Sequence, residues 1–225
     1  MSQIRWTFLC WFAISAIAPF TFGQSPTITS IEVQETKCVY TLGGQTPPCS
    51  IGPGMTVLIE GTNFGESGGN VSFCACNSAI LNRWKDSSIN TTVSFVTPNS
   101  MLSVETVGGG HSNVVPYVAL APVIDRLDVG DCTYIPGESK HQCQILTGSQ
   151  ITIRGKYFGQ GPGGVATCDC PNATVLTWDP NWLLDPSPAG NTIVATVADA
   201  IPGSTVSIMI SGMQSNAVPY TTCAP

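Results

Sequence analysis

The chain has 225 residues, of which only 10% are charged, and a formal net charge of −6. Its eight Lys and Arg residues are scattered, so the sequence lacks the basic surface that would neutralise nucleic-acid phosphates. With 23 Gly, 17 Pro and many Thr, Ser, Val and Ile residues, the composition favours short strands and tight turns over helices. We therefore predict an all-β protein, long enough for two domains of ordinary size.

The N-terminal segment has the features of a secretory signal peptide. Arg5 precedes an apolar run over residues 6–17, and we predict cleavage near Gly23 or Gln24, so that residues 1–24 are removed. The alternative is an uncleaved anchor, because the apolar stretch approaches the length of a short membrane span and lacks an Ala-x-Ala site. We expect the processed protein to have no membrane span and to be secreted, periplasmic or at the cell surface.

Downstream of this segment the sequence contains an internal repeat. MTVLIEGTNFGESGGNVSFCAC (55–76) aligns with SQITIRGKYFGQGPGGVATCDC (149–170), 94 positions further along. SNVVPY (112–117) recurs as SNAVPY (215–220), 103 positions further along, so the second copy has nine extra residues after Trp178. We predict domains at 25–119 and 120–225, joined by a short and nearly rigid link.

Alternating apolar residues predict the strands within each copy. In the first copy the pattern marks strands at 57–59 and 71–73, with returning strands at 91–96 and 102–107. A half-buried β-sandwich follows from this alternation.

A glycine and an aromatic residue recur after the second strand of each copy. Gly61 and Gly155 are predicted where the chain must turn. Phe64 and Phe158 are predicted to close the end of the core, so all four residues are interpreted as structural.

The first copy resembles a known domain family. The succession PTITSIEV, MTVLIEGTNFG, VSF and VGGGHSNVVPY is similar to an IPT/TIG domain, and residues 122–220 are similar but weaker. The resemblance implies an immunoglobulin-like sandwich of about seven strands per domain, used for interaction and spacing and without a conserved active site. The four cysteines per copy and the insertion after Trp178 depart from the family pattern.

The repeated cysteines predict a disulfide framework, because an exported chain folds under oxidising conditions. The candidate residues are Cys38, Cys49, Cys74, Cys76, Cys132, Cys143, Cys168 and Cys170. We favour Cys38–Cys49 and Cys132–Cys143, since each pair would close a small hairpin at its base. The remaining Cys-x-Cys pairs would need a local turn, because alternate residues of a strand lie at the edge of disulfide reach.

Two other readings of the cysteines stay open. A strained, exposed Cys-x-Cys bridge could exchange thiols, and four cysteines per copy could hold zinc, although the paired knuckle spacing of zinc sites is missing. Cys223 has no counterpart in the first copy and is a candidate unpaired thiol.

Catalytic and metal motifs are weak. His111 and His141 occupy unrelated positions in the two copies, and no G-x-S-x-G or H-E-x-x-H motif accompanies them. Asp125, Asp128 and Asp131 are spaced in threes, which does not match a calcium loop and is more typical of solvated charges. We predict no enzyme activity, cofactor or metal.

The insertion supplies the candidate partner contact. Trp182, Leu183 and Leu184 would form an apolar loop tip that either anchors a partner or folds back onto the protein. We predict a non-catalytic interaction or spacer module that binds a protein or a carbohydrate and no nucleic acid. The alternatives are a thiol-exchange or enzyme-accessory protein using the Cys-x-Cys pairs, and a structural subunit of a surface assembly.

Overall fold

The structure is a computed structural model that describes residues 24–74, 79–159, 163–167, 173–180 and 191–222. These residues form strands, turns and loops and no helix, which confirms the all-β prediction. Within these ranges there is accordingly no helix with the length and hydropathy of a membrane span.

The strands fall into two series connected by β10 (Val118–Ala119). The first series is β1 (Thr27–Val33), β2 (Cys38–Thr41), β3 (Ser50–Ile51), β4 (Thr56–Thr62), β5 (Asn70–Ser72), β6 (Ala79–Lys85), β7 (Ser88–Val93), β8 (Met101–Glu105) and β9 (Val115–Pro116). The second series is β11 (Val123–Val129), β12 (Cys132–Tyr134), β13 (Gln150–Lys156), β14 (Gly164–Ala166), β15 (Ala173–Pro180), β16 (Asn191–Val197), β17 (Thr205–Ile210), β18 (Met213–Gln214) and β19 (Val218–Pro219).

The two series build sheets of the same topology. The first forms a five-stranded sheet in the order β2-β1-β4-β7-β6 and a smaller sheet β5-β8-β9. The second forms a five-stranded sheet in the order β12-β11-β13-β16-β15 and a smaller sheet β14-β17-β18, with β19 paired to β17. We call β1–β9 the first unit and β11–β19 the second unit.

Each unit encloses its own hydrophobic core between its two sheets. Fully buried residues of the first core include Ile31, Val57 and Phe73, and those of the second include Leu127 and Ile151. The alternation of side chains along a strand produces these cores. In β7 every second side chain is buried and the others are half-buried. Burying each such aliphatic or aromatic side chain stabilises the fold by about 1.5–3 kcal/mol.

Gly61 and Gly155 lie within β4 and β13, so the predicted turn at these positions is wrong. The requirement for glycine is one of space. A Cβ at Gly61 would lie 2.0 Å from the carbonyl oxygen of Thr27, and a Cβ at Gly155 would lie 1.9 Å from that of Val123. Each glycine therefore lets the first strand of its unit approach its neighbour, and Phe64 and Phe158 are fully buried beside them.

The returning strands also begin earlier than the alternation suggests. Strand β7 covers 88–93 and β8 covers 101–105, whereas the sequence pattern favours 91–96 and 102–107. Strand β7 begins early because it follows the tight turn after Lys85 directly. It ends at Val93, and the residues between Val93 and Pro98 continue the alternation without pairing to another strand.

The repeated Ser-Asn-x-Val-x-Tyr motif holds each unit together. Asn113 accepts a hydrogen bond from the Ile28 amide at 2.7 Å and donates to the Ile28 carbonyl at 3.1 Å. Asn216 makes the same pair of bonds to Ile124, at 2.6 and 3.0 Å. The motif thereby clamps the first strand of each unit to its last hairpin.

The tyrosine of the motif fixes the interior. The Tyr117 hydroxyl donates to the Phe73 carbonyl, and the Tyr220 hydroxyl donates to the Thr167 carbonyl at 2.6 Å. Burial raises the pKa of Tyr117 above its ordinary value, against smaller opposing contributions from hydrogen bonds with Thr97 and Ser100. The motif is therefore structural in both units.

The link between the units is hydrogen-bonded rather than free. Strand β10 runs parallel to β3, the Val118 amide donates to the Cys49 carbonyl at 2.9 Å, and the Leu120 amide donates to the Ile51 carbonyl at 2.9 Å. Side chains cross the same boundary, since Tyr157 and Met213 of the second unit pack with the first core.

Candidate functional site

A groove of about 450 Å³ opens at the end of the first unit where three segments meet. Its walls are the segment before β1, the corner after β4 and the glycine-rich turn after β8. The lining residues are Gln24, Ser25, Pro26, Asn63, Phe64, Gly65, Glu66, Ser67, Thr106, Val107, Gly108 and Gly110. Loops at the end of a β scaffold are common binding positions, because the rigid sheets fix their geometry.

The corner after β4 is held from below by the β6–β7 turn. The Trp84 indole donates to the Phe64 and Gly65 carbonyls at 3.2 and 3.0 Å. The Gly65 amide donates to the Asp86 carboxylate at 2.8 Å, and the Phe64 amide donates to the Asp86 carbonyl at 2.9 Å. This groove wall is therefore fixed before any ligand arrives.

The other two walls are also tied down. The glycine-rich turn closes on itself, since the Thr106 amide donates to the Gly110 carbonyl at 2.9 Å and the Gly109 amide donates to the Thr106 carbonyl at 2.9 Å. The segment before β1 contacts the corner through Asn63, whose amide nitrogen lies 3.3 Å from the Gln24 side-chain oxygen. Asn63 has a φ of 61°, a left-handed conformation that asparagine adopts more readily than most residues.

The exposed polar groups of the groove are largely uncommitted. The side chains of Glu66 and Ser67 are exposed and make no hydrogen bond within the described ranges. Asn63 uses its amide nitrogen on Gln24 and on the Ser25 carbonyl, so its side-chain oxygen stays available. The groove thus offers both donors and acceptors to a ligand.

The corresponding corner of the second unit, at residues 157–159, is covered. Tyr157 takes the position of Asn63 with nearly the same φ, 62°, and its ring packs against Gly52 of the first unit. A Cβ at Gly52 would lie 2.7 Å from that ring. Gly159 is buried, and a Cβ there would meet the Ser94 carbonyl oxygen at 3.3 Å, whereas the equivalent Gly65 is exposed at the groove.

Tyr157 lies in an acidic part of this junction. Burial raises the pKa of its hydroxyl above the ordinary value, and the negative charges of Glu35 and Asp125 raise it further. Glu35 accepts a hydrogen bond from the Thr56 amide at 2.8 Å through one carboxylate oxygen. Its other oxygen is buried without a hydrogen-bond partner among the described residues.

The cysteines predicted to pair across a short segment do so. Disulfides join Cys38 to Cys49 and Cys132 to Cys143, each over a separation of 11 residues. The closed segments are not self-paired hairpins, because β2 pairs with β1 and β12 pairs with β11. Each bridge instead ties the edge strand of a five-stranded sheet to the segment that leads into the next part of the unit.

The remaining cysteine predictions stay predictions. Cys74 is disulfide-bonded, and its partner is not among the described residues. The other candidates also lie outside the described residues, and so does the predicted contact loop: Cys76, Cys168, Cys170, Cys223, Trp182, Leu183 and Leu184.

The histidines are separate from each other and exposed. The imidazole of His111 lies 4.0 Å from the Glu105 carboxylate beside the glycine-rich turn, and His141 lies in the segment closed by the second disulfide.

Two of the three aspartates, Asp125 and Asp128, pair with cations, and Asp131 is exposed in the turn between β11 and β12. Asp128 accepts hydrogen bonds from Arg126 at 2.8 Å and from Thr133 at 2.6 Å. Although burial would raise the pKa of Asp128, these hydrogen bonds and the charges of Arg126 and Arg154 outweigh it and lower the pKa. Asp125 lies 3.8 Å from Lys156, and no group of three or more potential metal ligands occurs in the described ranges.

The sequence reasoning missed the groove, because it interpreted Phe64 as structural and used the glycine-rich segment 107–110 only as part of the family resemblance. One signal was present in the repeat alignment, because the corner residue is polar in the first copy, Asn63, and aromatic in the second, Tyr157. That difference becomes informative only when the structure shows which corner is covered.

Comparisons with known proteins give limited likenesses. No protein-family profile matches the chain. A cyclomaltodextrin glucanotransferase from Niallia circulans is 31% identical over 157 residues, which are 67% of this chain and 21% of that protein. The chain therefore spans about a fifth of the length of that relative.

Three solved structures resemble the chain with low TM-scores. The surface glycan-binding protein PbSGBP-B from Prevotella bryantii gives a TM-score of 0.37 at 16% identity, covering 88% of this chain and 42% of that one. SGBP-B from a xyloglucan utilization locus in Bacteroides uniformis gives 0.31 at 17%, covering 88% and 49%. The plexin A4 extracellular region gives 0.31 at 15%, covering 94% and 20%.

Proposed function

We propose that the chain is an exported, non-catalytic interaction module built from two tandem immunoglobulin-like domains of the IPT/TIG type. The domains span 25–119 and 120–225, behind a signal peptide at 1–24. The second domain acts as a rigid base that presents the free end of the first domain to a protein or a carbohydrate at the cell surface or in the periplasm.

The observation that carries this proposal is the contrast between the two loop ends. The same corner is buried in the second unit, where Tyr157 packs on Gly52, and is open in the first, where Asn63 lines the groove. A hydrogen-bonded link and a packed junction hold the first unit against the second. Such an arrangement suits presentation of a binding surface, because little orientational freedom has to be lost when a partner binds.

Further support comes from redox chemistry and from the relative. Two disulfides in one chain are typical of exported proteins, since the cytosol keeps thiols reduced. The name of the 31% identical relative refers to glucan transfer, which favours a carbohydrate-rich setting for this chain. The transferase activity belongs to that much longer protein and is not part of the proposal.

The first test combines processing with binding. The protein is isolated from its own cells after thiol blocking, and its intact mass is measured without reduction. We expect a chain that begins near residue 24, and we expect the labelled protein to bind the envelope of the source cells. An intracellular chain with its first 24 residues intact and reduced cysteines, or a processed chain without envelope binding, would contradict the proposal.

A second test separates binding from thiol exchange. Replacement of Cys74 and Cys76 by Ser should leave envelope binding unchanged in protein that still folds, because the groove lies in other segments. Loss of binding with an intact fold would favour the thiol-exchange alternative instead.

A further inference from the structure

The partner class of the groove can be narrowed from its lining, and this inference rests on the proposed function. We propose that the groove of the first unit binds a neutral oligosaccharide. Its volume of about 450 Å³ falls within the range of ordinary small-molecule sites, about 300–1,000 Å³.

The hydrogen-bonding groups suit a ligand that both donates and accepts at each position. Glu66 supplies two acceptor oxygens, and Ser67 supplies a hydroxyl that donates and accepts. The Asn63 side-chain oxygen accepts no hydrogen bond within the described ranges, and its amide nitrogen is released from Gln24 when residues 1–24 are removed. Sugar hydroxyls are donors and acceptors at once, so they can use such a mixed set, whereas a ligand with acceptors alone would leave Glu66 unpaired.

Charge disfavours the anionic classes. No Lys or Arg is among the described lining residues, and the Glu66 carboxylate offsets the one positive charge that cleavage near Gln24 places at the new N-terminus in the same wall. With a net charge of −6 on the whole chain, phosphates, nucleic acids and uronic-acid polymers therefore gain no net attraction. A neutral polyhydroxyl compound does not need such attraction.

The apolar part of the lining is small. Val107 is 73% exposed in the glycine-rich turn and can cover part of the C–H face of one sugar ring. Pro26 is buried against Gly110 of the same turn, and the Phe64 ring is fully buried. Without an exposed aromatic ring among the described lining residues, we expect modest affinity, with a Kd of about 0.1–1 mM.

The experiment is a titration of the ¹⁵N-labelled processed protein, which begins near residue 24, followed by amide chemical shifts. The probes are maltoheptaose, cellohexaose and mannohexaose, with tetragalacturonate as the anionic comparison. We expect at least one neutral probe to give saturable shifts at Gly65, Ser67 and Gly110, and tetragalacturonate to give none. Absence of shifts with all three neutral probes at about 10 mM, or stronger binding of tetragalacturonate, would overturn the inference.

Variants link the binding to the groove. Glu66→Gln with Ser67→Ala should raise the Kd about tenfold, because both side chains are free of hydrogen bonds in the described structure and their change does not disturb the fold. The matched control is Glu138→Gln with Ser204→Ala, which alters the same residue types at an exposed and a half-buried position of the second unit, outside the groove. Equal affinities of the two double variants would contradict the inference.

The two proposals fail in different ways. If envelope binding is lost in the groove variant while no oligosaccharide shifts the spectrum, the interaction module stands and its ligand is of another class. If neither envelope nor oligosaccharide binds, the proposed function itself is wrong.

Discussion

The loop end of the first unit is open, whereas the same loop end of the second unit is packed against its neighbour. The two corners share their backbone, since Asn63 and Tyr157 have φ values of 61° and 62°. They also share a support, because Trp84 and Trp178 each donate an indole hydrogen bond to the carbonyl of the corner glycine, at 3.0 and 3.1 Å. One scaffold thus serves two tasks, and the difference lies in the side chains that it presents.

The two units also differ at the base, the opposite end from the corner, where the first unit contacts Tyr157. Gly52 leaves room for the Tyr157 ring, while the equivalent position of the second unit is Leu146, which is 45% exposed. The outer ends of the pair therefore lack the two features that make the junction, namely a glycine on the base and a tyrosine on the corner.

The largest effect is expected when Gly52 at the junction is replaced by leucine, the residue found at the equivalent position 146 of the second unit. Gly52→Leu puts a side chain where the Tyr157 ring lies, so the ring must leave. The loss combines about 2 kcal/mol from exposing part of the tyrosine with about 2 kcal/mol from overpacking. Small-angle X-ray scattering should show a wider range of angles between the units, and the melting temperature should fall.

The reciprocal change is the control for this prediction. Leu146→Gly alters an exposed side chain on the free base and should leave the scattering curve unchanged. If the Gly52→Leu protein gave the wild-type scattering curve, the contact between Tyr157 and Gly52 would not determine the angle between the units.

Removal of a disulfide should lower the free energy of unfolding by a smaller amount, and by different amounts in the two units. Replacing either pair, Cys38 with Cys49 or Cys132 with Cys143, by Ala should cost about 3 kcal/mol, because both bridges close segments of equal length. The first pair should cost more, since Cys49 anchors the segment that leads into β3 and Gly52 at the junction. The equivalent segment at Cys143 instead bonds to Thr221 within the second unit. Urea unfolding of both variants measures the difference, and a larger loss from the second pair would contradict this assignment.

The next largest effect on stability is expected when the residue of one corner is placed at the other. Tyr157→Asn should remove about 2 kcal/mol of packing from the junction. Asn63→Tyr should leave the junction intact and narrow the groove, because it adds a ring where Asn63 lines the wall. Calorimetry checks the first effect and envelope binding the second. Equal destabilisation by the two changes would mean that the corners are equivalent after all.

The smallest effect concerns pH. The pKa of Tyr157 is raised in the folded state, so folding favours the neutral phenol and this preference is fully present below about pH 10, the ordinary tyrosine value. Stability should therefore decline as the pH rises above this value. In urea titrations the stability of Tyr157→Phe should decline less steeply above about pH 10 than that of the wild type. An identical slope would show that Tyr157 does not contribute, leaving Tyr117, whose pKa is also raised, as the source.

Local pattern and repetition determined much of this protein in advance. The alternation of residues in β7 and the duplicated cysteines needed only neighbours close in sequence, and the two short disulfides followed from spacing. The motif around Asn113 was visible as a repeat, yet its clamp on Ile28 bridges 85 positions and required the fold.

Only the tertiary structure decided which glycine does what and where a ligand can enter. The sequence predicted a turn at Gly61, whereas the position requires glycine because of its contact with Thr27 on the neighbouring strand. Thr27 is far away in sequence, so no local pattern reveals this contact. Asn63 and Tyr157 occupy equivalent positions, so no local rule separates a groove wall from a junction residue. Their roles differ because the second unit packs its corner against the base of the first, and no described residue of the second unit lines the groove at the corner of the first.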